Sequence, residues 1–163
     1  MDLGLTGRRA LVTGSHRGTG AGIARALADE GAEVLVHGFE PGQGDDVVEA
    51  IVATGGTATV VTGELDTDEG VAALVDGLPP VDVLVNNYGA PGGSTWQGTD
   101  RWAEEWNVNV LTGVRMAQAL APAMAERGWG RIVFLGTVGV RRPGAGSPGY
   151  YGAKAGLHAV VRN

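Results

Sequence analysis

A doubly wound α/β sheet with all strands parallel is the architecture this sequence predicts, in the strand order 3-2-1-4-5. Three observations point there. Five short apolar runs alternate with segments of helical period along the 163 residues. The runs are apolar at consecutive rather than alternate positions, as strands covered on both faces require. Glycine contributes 29 of the 163 residues, far above the usual ~7%, and clusters at the junctions between runs without a repeat period.

The elements follow in order. Residues 10–13, 33–37, 57–62, 81–86 and 131–135 read as short, largely buried strands rich in Val, Ile and Leu. Residues 18–30 place Ile23, Leu27 and several alanines on one helix face, with Gly31 suited to the helix end. Residues 45–54 carry Val47, Val48, Ile51 and Val52 at helical spacing and stop at Gly55-Gly56. Residues 68–76 offer Val71, Leu74 and Val75 before Pro79-Pro80 ends the run. Asp100 is the expected N-cap of a long helix through Trp102, Trp106, Val110 and Val114 toward Glu126, its apolar stripe expected to be core. A last helix begins near Pro148 and reaches the final residue. Right-handed crossovers between parallel strands then leave few topologies. A ligand belongs at the carboxyl ends of the strands, near the point where strand order reverses. No linker or composition shift divides the chain, so residues 1–163 are expected to form one domain.

Composition excludes several classes. Twelve basic against eighteen acidic residues give a net charge of −6, which is no footprint for nucleic acid. No apolar run approaches the ~20 residues of a membrane-spanning helix. Without cysteine there is no disulfide framework or thiol nucleophile, and three scattered histidines make a metal site an unexpected feature. A cytoplasmic protein is expected. Lys154 is the only lysine among the twelve basic residues. A site that retains Lys where Arg is otherwise used needs a compact ammonium on a flexible stem, or the lysine is a chance survivor.

After the first strand comes Thr13-Gly14-Ser15-His16-Arg17-Gly18-Thr19-Gly20. Glycines there permit a tight turn and close approach of the backbone to a ligand, and the helix that follows offers N–H groups and its positive dipole end to a pyrophosphate. A plain strand-to-helix turn would carry the same residues. Three further segments stand in order downstream: Asn86-Asn87-Tyr88-Gly89, Asn109 within WNVNVLTG, and Tyr150-Tyr151-Gly152-Ala153-Lys154. With TGSHRGTG, these resemble the TGxxxGxG, NNAG, helix-asparagine and YxxxK elements of the short-chain dehydrogenase/reductase family. The likeness is to its ketoacyl-reductase-like members, and it extends over essentially the whole chain. Tyr88 stands where the family has Ala.

The resemblance implies a Rossmann-like fold and a set of roles. Tyr150, on the same helix face as Lys154 at i and i+4, would exchange a proton with the substrate oxygen. An unperturbed phenol, at a pKa of ~10, needs a neighbouring cation to favour phenolate. Lys154 would supply it and hold the nicotinamide ribose. Thr137 stands where the family has its catalytic serine, keeping the hydroxyl and adding a methyl group. Asn109 would anchor a water leading to Lys154. Ser147 reads as a cap residue or loop contact.

For the cofactor, the resemblance implies binding by Gly14, Ser15, His16, Arg17, Gly18, Thr19, Gly20, Gly38, Phe39, Glu64, Leu65, Asn86, Tyr88 and Gly89 together with Tyr150 and Lys154. Gly38 occupies the position of the acidic residue that selects NAD, and Arg17 matches the basic residue that meets the 2′-phosphate of NADP, unless it is simply a solvated loop charge. Phe39 replaces a second expected Arg, with Glu40 beside it. NADP(H) is therefore expected to be preferred and NAD(H) possible. Tyr88, Trp96, Val138 and Tyr151 are candidates for the substrate cleft; Trp96 stacks on a ring or fills a loop.

Family members continue past the helix that bears Tyr150 with further strands and helices, so the chain is expected to be an incomplete domain lacking the C-terminal strands. Two readings of function follow. One is an oxidoreductase moving hydride between NADP(H) and a small-molecule carbonyl or secondary alcohol, expected as a homodimer or homotetramer. The alternative is a catalytically impaired nucleotide-binding or scaffolding protein that keeps the fold.

Overall fold

The computed structural model describes residues 3–162. Its strands are β1 (Arg9–Val12), β2 (Glu33–Gly38), β3 (Thr57–Thr62), β4 (Val83–Asn86) and β5 (Arg131–Phe134). Helices α1 (Gly18–Asp29), α2 (Asp45–Ala53), α3 (Asp68–Asp76), α4 (Asp100–Trp106), α5 (Thr112–Glu126) and α6 (Pro148–Val160) alternate with them. The five strands form one sheet in the order β3-β2-β1-β4-β5, and every neighbouring pair is parallel. This is the Rossmann-like topology expected.

Residue alternation along the three central strands explains the layers. Ala10, Val12, Val34, Val36, Val83 and Val85 face α1 and α2, where Ala24, Ala28, Val47 and Ile51 meet them. Leu11, Leu35 and Leu84 face the other side and pack on Val71 and Leu74 of α3 and Met116, Leu120 and Met124 of α5. Each strand thus spends both faces on core, so its sequence reads as a continuous apolar run. Each large side chain so buried contributes roughly 1.5–3 kcal/mol. A smaller cluster of Val110, Ala153 and Leu157 seats α6.

Several expectations need correction. β3 and β5 are edges, paired on one side only, and are not largely buried: Val133 in β5 is 46% exposed. The fourth strand begins at Val83, because Asp82 turns its carboxylate to the Arg9 N–H. Thr99, not Asp100, is the N-cap of α4, and it supplies no side-chain bond. The long helix is broken in register by a π-helical turn, Asn107–Leu111, between α4 and α5. Trp106 is 41% exposed rather than core, and half-buried Trp102 donates its indole N–H to the Thr95 carbonyl. The start of α6 and the left-handed Gly31 after α1 stand as expected. No helix among the described residues is long and apolar enough to cross a membrane.

Candidate active site

The turn after β1 is built for close approach. Gly14 and Gly18 have φ of +62° and +58°, a region that disfavours side chains. A Cβ on Gly20 would lie 2.5 Å from Asn87 Nδ2 and 2.7 Å from the Gly14 carbonyl oxygen. The N-cap residue of α1, Arg17, gives no side-chain acceptor, so the first-turn N–H groups face outward with the positive end of the helix dipole. They open on a crevice of about 440 Å³ lined by Gly14, His16, Arg17, Gly18, Thr19, Gly20, Phe39, Gln43, Asn87, Tyr88, Gly89 and Ala90. That donor set and volume suit the pyrophosphate and adenosine of a dinucleotide.

Beneath the turn lies a support the sequence did not reveal. His37, fully buried at the end of β2, accepts from the Gly14 N–H at Nδ1 and bonds the Gly63 carbonyl through Nε2. Those partners assign the proton to Nε2. Desolvation pushes its pKa down to about 4, against a smaller opposing effect of the Gly63 carbonyl and together with the neighbouring His16. The main chain of His37 holds the turn as well, its carbonyl accepting from Ser15 and His16 and its N–H donating to Ser15 Oγ. Ser15 is therefore wholly buried, its hydroxyl engaged by His37 and Val12. It supports the turn and does not line the crevice.

On the far side of the crevice an aromatic group replaces the basic residue expected after β2. Phe39 stacks at a tilt on Tyr88 with ring centroids 4.7 Å apart, and meets the His37 ring edge-on at 5.0 Å. Burial raises the Tyr88 pKa, reinforced by Asp66 and Glu64. Gln43 accepts from the Phe39 N–H and crowds Gly38, where a Cβ would come 2.7 Å from Gln43 Cβ. Glu64 is exposed, while Leu65 is fully buried in the core. The Asn86 side chain is buried, with both polar atoms unpaired among the described residues, and points toward Gly113, away from the crevice. Its neighbour Asn87 lines the crevice instead and donates to the Thr13 and Gly14 carbonyls.

Asn109 and Lys154 converge on Gly89, as three segments far apart in sequence meet at the carboxyl ends of β4 and β5. Lys154 is 4% exposed, and its ammonium donates to the Leu135 carbonyl at 2.9 Å; burial lowers its pKa. Asn109 lies in the π-helical turn, a device that re-aims side chains at functional positions. Its Nδ2 donates to the Ala90 and Glu105 carbonyls, and its Oδ1 is buried without a partner among the described residues. Tyr150 precedes Lys154 by four residues on α6, half-buried, with its ring 5.3 Å from that of Tyr151. Thr137 follows β5 as N-cap of a short 3-10 turn (Val138–Arg141), where its hydroxyl oxygen accepts from the Gly139 N–H.

The candidate substrate residues divide. Tyr151 lies against the 139–144 segment, since Cβ atoms on Gly139 and Gly144 would meet its ring and hydroxyl at 2.7 and 3.1 Å. Trp96 is 80% exposed and rests edge-on against Trp102. Val138 is 91% exposed. Ser147 is a loop contact, accepting from the Gly93 N–H, and is the N-cap of α6 without a side-chain cap bond. Thr13, His37, Gln43 and Asn87 are site residues not named as such from the sequence. Thr13 and Asn87 lie inside the quoted motifs and His37 directly precedes Gly38, whereas no signal in the sequence marks Gln43.

A sequence profile of the family described as short chain dehydrogenase matches residues 8–163. The chain is 34% identical over 159 residues to the ketoacyl reductase HetN of Nostoc sp. strain PCC 7120, covering 94% of this chain and 55% of that one. Among solved structures it superposes on a 3-oxoacyl (acyl-carrier-protein) reductase from Agrobacterium tumefaciens C58 with NADP bound. There the TM-score is 0.88 and the identity 38%, over 96% of this chain and 63% of the other. It also superposes on L-sorbose reductase from Gluconobacter frateurii complexed with NADPH and L-sorbose, at TM-score 0.90 and 30% identity, over 98% and 64%. The chain thus spans less than two thirds of the length of each of these three proteins. A profile match over nearly the entire chain, on a sheet of the expected order, means that it belongs to the short-chain dehydrogenase family.

Proposed function

We propose that residues 3–162 form a dinucleotide-binding domain that takes NADP(H) in the crevice above β1 and β4. With it the protein interconverts a small-molecule carbonyl and its secondary alcohol. The observation that carries this reading is the convergence of the buried Lys154 ammonium and the orphaned Asn109 oxygen on Gly89, with Tyr150 one helical turn before Lys154. Lys154 has no carboxylate partner among the described residues; burying a charge in that way is costly, which supports a role at a reaction centre.

When bound, the dinucleotide supplies or accepts the hydride. Tyr150 donates its hydroxyl proton to the substrate oxygen during reduction and removes it during oxidation. Thr137 Oγ already accepts from Gly139 N–H, which leaves its own hydrogen free to donate to that oxygen and stabilise the charge developing there. Lys154 uses one N–H on Leu135; its remaining N–H groups are available to ribose hydroxyls and to a water toward Asn109. The first turn of α1 holds the pyrophosphate, and Phe39 and Tyr88 wall the adenosine.

Preference for NADP(H) over NAD(H) rests on Arg17 at the crevice rim and on the absence of a carboxylate at Gly38. The NADP and NADPH named with the two solved relatives agree with it. Assembly as a homodimer or homotetramer belongs to the same reading.

The test is oxidation of NADPH against a panel of ketones, sugars and acyl thioesters, alongside cofactor titration by fluorescence. Turnover abolished by Tyr150→Phe supports the proposal. Tight binding without turnover on any substrate supports the nucleotide-binding reading instead.

A further inference from the structure

Resting on the reading just given, we propose that Glu105 is a positioning residue that locks the first turn of α6, and Tyr150 with it, to the segment 92–94 beside the cleft. Glu105 is 2% exposed at the last turn of α4. No cation pairs with it among the described residues. Its Oε1 accepts from the Gly92 N–H at 2.5 Å and from the Ser94 N–H at 3.5 Å. Ser94, itself 3% exposed, uses its hydroxyl oxygen to accept from the Gly149 N–H at 2.8 Å. A Cβ on Gly149 would fall 2.5 Å from Glu105 Oε2 and 3.0 Å from Ser94 Oγ. Only a glycine therefore lets the helix start come this close.

The same residue reaches the other half of the site through its main chain. The Glu105 carbonyl accepts from Asn109 Nδ2 at 2.9 Å, so one residue touches the start of the Tyr150 helix with its side chain and holds Asn109 with its backbone. Burial alone would raise the carboxyl pKa. The Ser94 hydroxyl and the Gly92 and Ser94 N–H groups outweigh it and hold the pKa below the usual carboxylate value, while Oε2 lies beside Gly149 without a hydrogen-bond partner among the described residues. A buried carboxylate with no counter-ion is a poor means of stabilising a fold, since an apolar residue of equal volume does as well or better. As an anion at the positive end of a 13-residue helix, it fixes where that helix begins. A hydroxyl donor displaced by an ångström loses much of its catalytic effect.

The experiment is Glu105→Gln, which keeps the shape, removes the charge and turns an NH2 group toward N–H donors. Three readouts are taken: NADPH-dependent carbonyl reduction, NADPH affinity by fluorescence, and amide hydrogen exchange. The expected result is a kcat at least tenfold lower, a Kd for NADPH within twofold, and exchange at least tenfold faster at Gly92, Ser94, Gly149 and Tyr150. The β1 and β2 amides should keep their rates. Unchanged exchange at both segments, or faster exchange spread evenly over the sheet, overturns the proposal. If Glu105→Gln does not fold, Ser94→Ala severs the link to Gly149 and leaves the carboxylate in place. It should then speed exchange at Gly149 and Tyr150, and unaltered rates there overturn the proposal too. A wild-type chain that reduces no carbonyl removes the activity reading, while the exchange measurements still decide the role of Glu105.

Discussion

The Asn109 amide oxygen and the Lys154 ammonium flank one backbone position: a Cβ built on Gly89 would sit 2.6 Å from the first and 3.1 Å from the second. Neither can yield freely, because Asn109 Nδ2 is held by two carbonyls and Lys154 Nζ by a third. Gly89→Ala should therefore lower carbonyl reduction by about 100-fold or more and cost about 1–3 kcal/mol of stability as an overpacked site. Urea denaturation and turnover on the same preparation check both.

Lys154 separates function from stability. Its burial, without a carboxylate partner among the described residues, opposes its charge, so Lys154→Met should leave stability at pH 7 within about 1 kcal/mol of wild type while turnover is lost. Lys154→Arg should also fold and lose most of the activity, since a planar guanidinium cannot replace a compact ammonium between Leu135 and Gly89. Full turnover in the Arg variant would remove the proposed role.

His37 makes the nucleotide turn sensitive to acid. Its folded pKa of about 4 lies below the unfolded value of ~6.5, so the unfolded chain binds the proton first as pH falls. Stability is full above pH ~6.5 and declines by roughly 3 kcal/mol toward pH ~4, below which this contribution levels off. Carboxylates titrate in the lower part of the same window. The measurement is therefore the difference between wild type and His37→Gln in urea midpoints at pH 7, 5.5 and 4, and the Gln variant should show the smaller loss.

Arg17 stands exposed at the rim of the crevice without an ion pair among the described residues. If it meets a 2′-phosphate, Arg17→Ala should raise KM for NADPH about tenfold, the loss of one charge-assisted contact of about 1.4 kcal/mol, and leave KM for NADH within twofold. Equal effects on both cofactors would show that it acts only as a general attraction for phosphate.

The fold was legible because it is written in local pattern. Consecutive apolar positions in the runs around Leu11, Leu35 and Leu84 state that both sheet faces are covered, and chirality then restricts the strand order. The motif residues Gly14, Gly20, Asn109, Tyr150 and Lys154 could be singled out through their resemblance to the family's elements, Tyr150 and Lys154 also through their i, i+4 spacing. Tertiary structure alone decided the rest. Glu105 reads like Glu104 beside it, a charge on a polar helix face, until the 92–94 segment folds over it and α6 closes the other side. His37 is one more residue of β2 until the turn after β1 is laid across its ring, and Asn86 and Asn87 differ only in which side of the sheet end they face. Burial of a polar group depends on segments tens of residues away, and no period within a strand or helix carries that information.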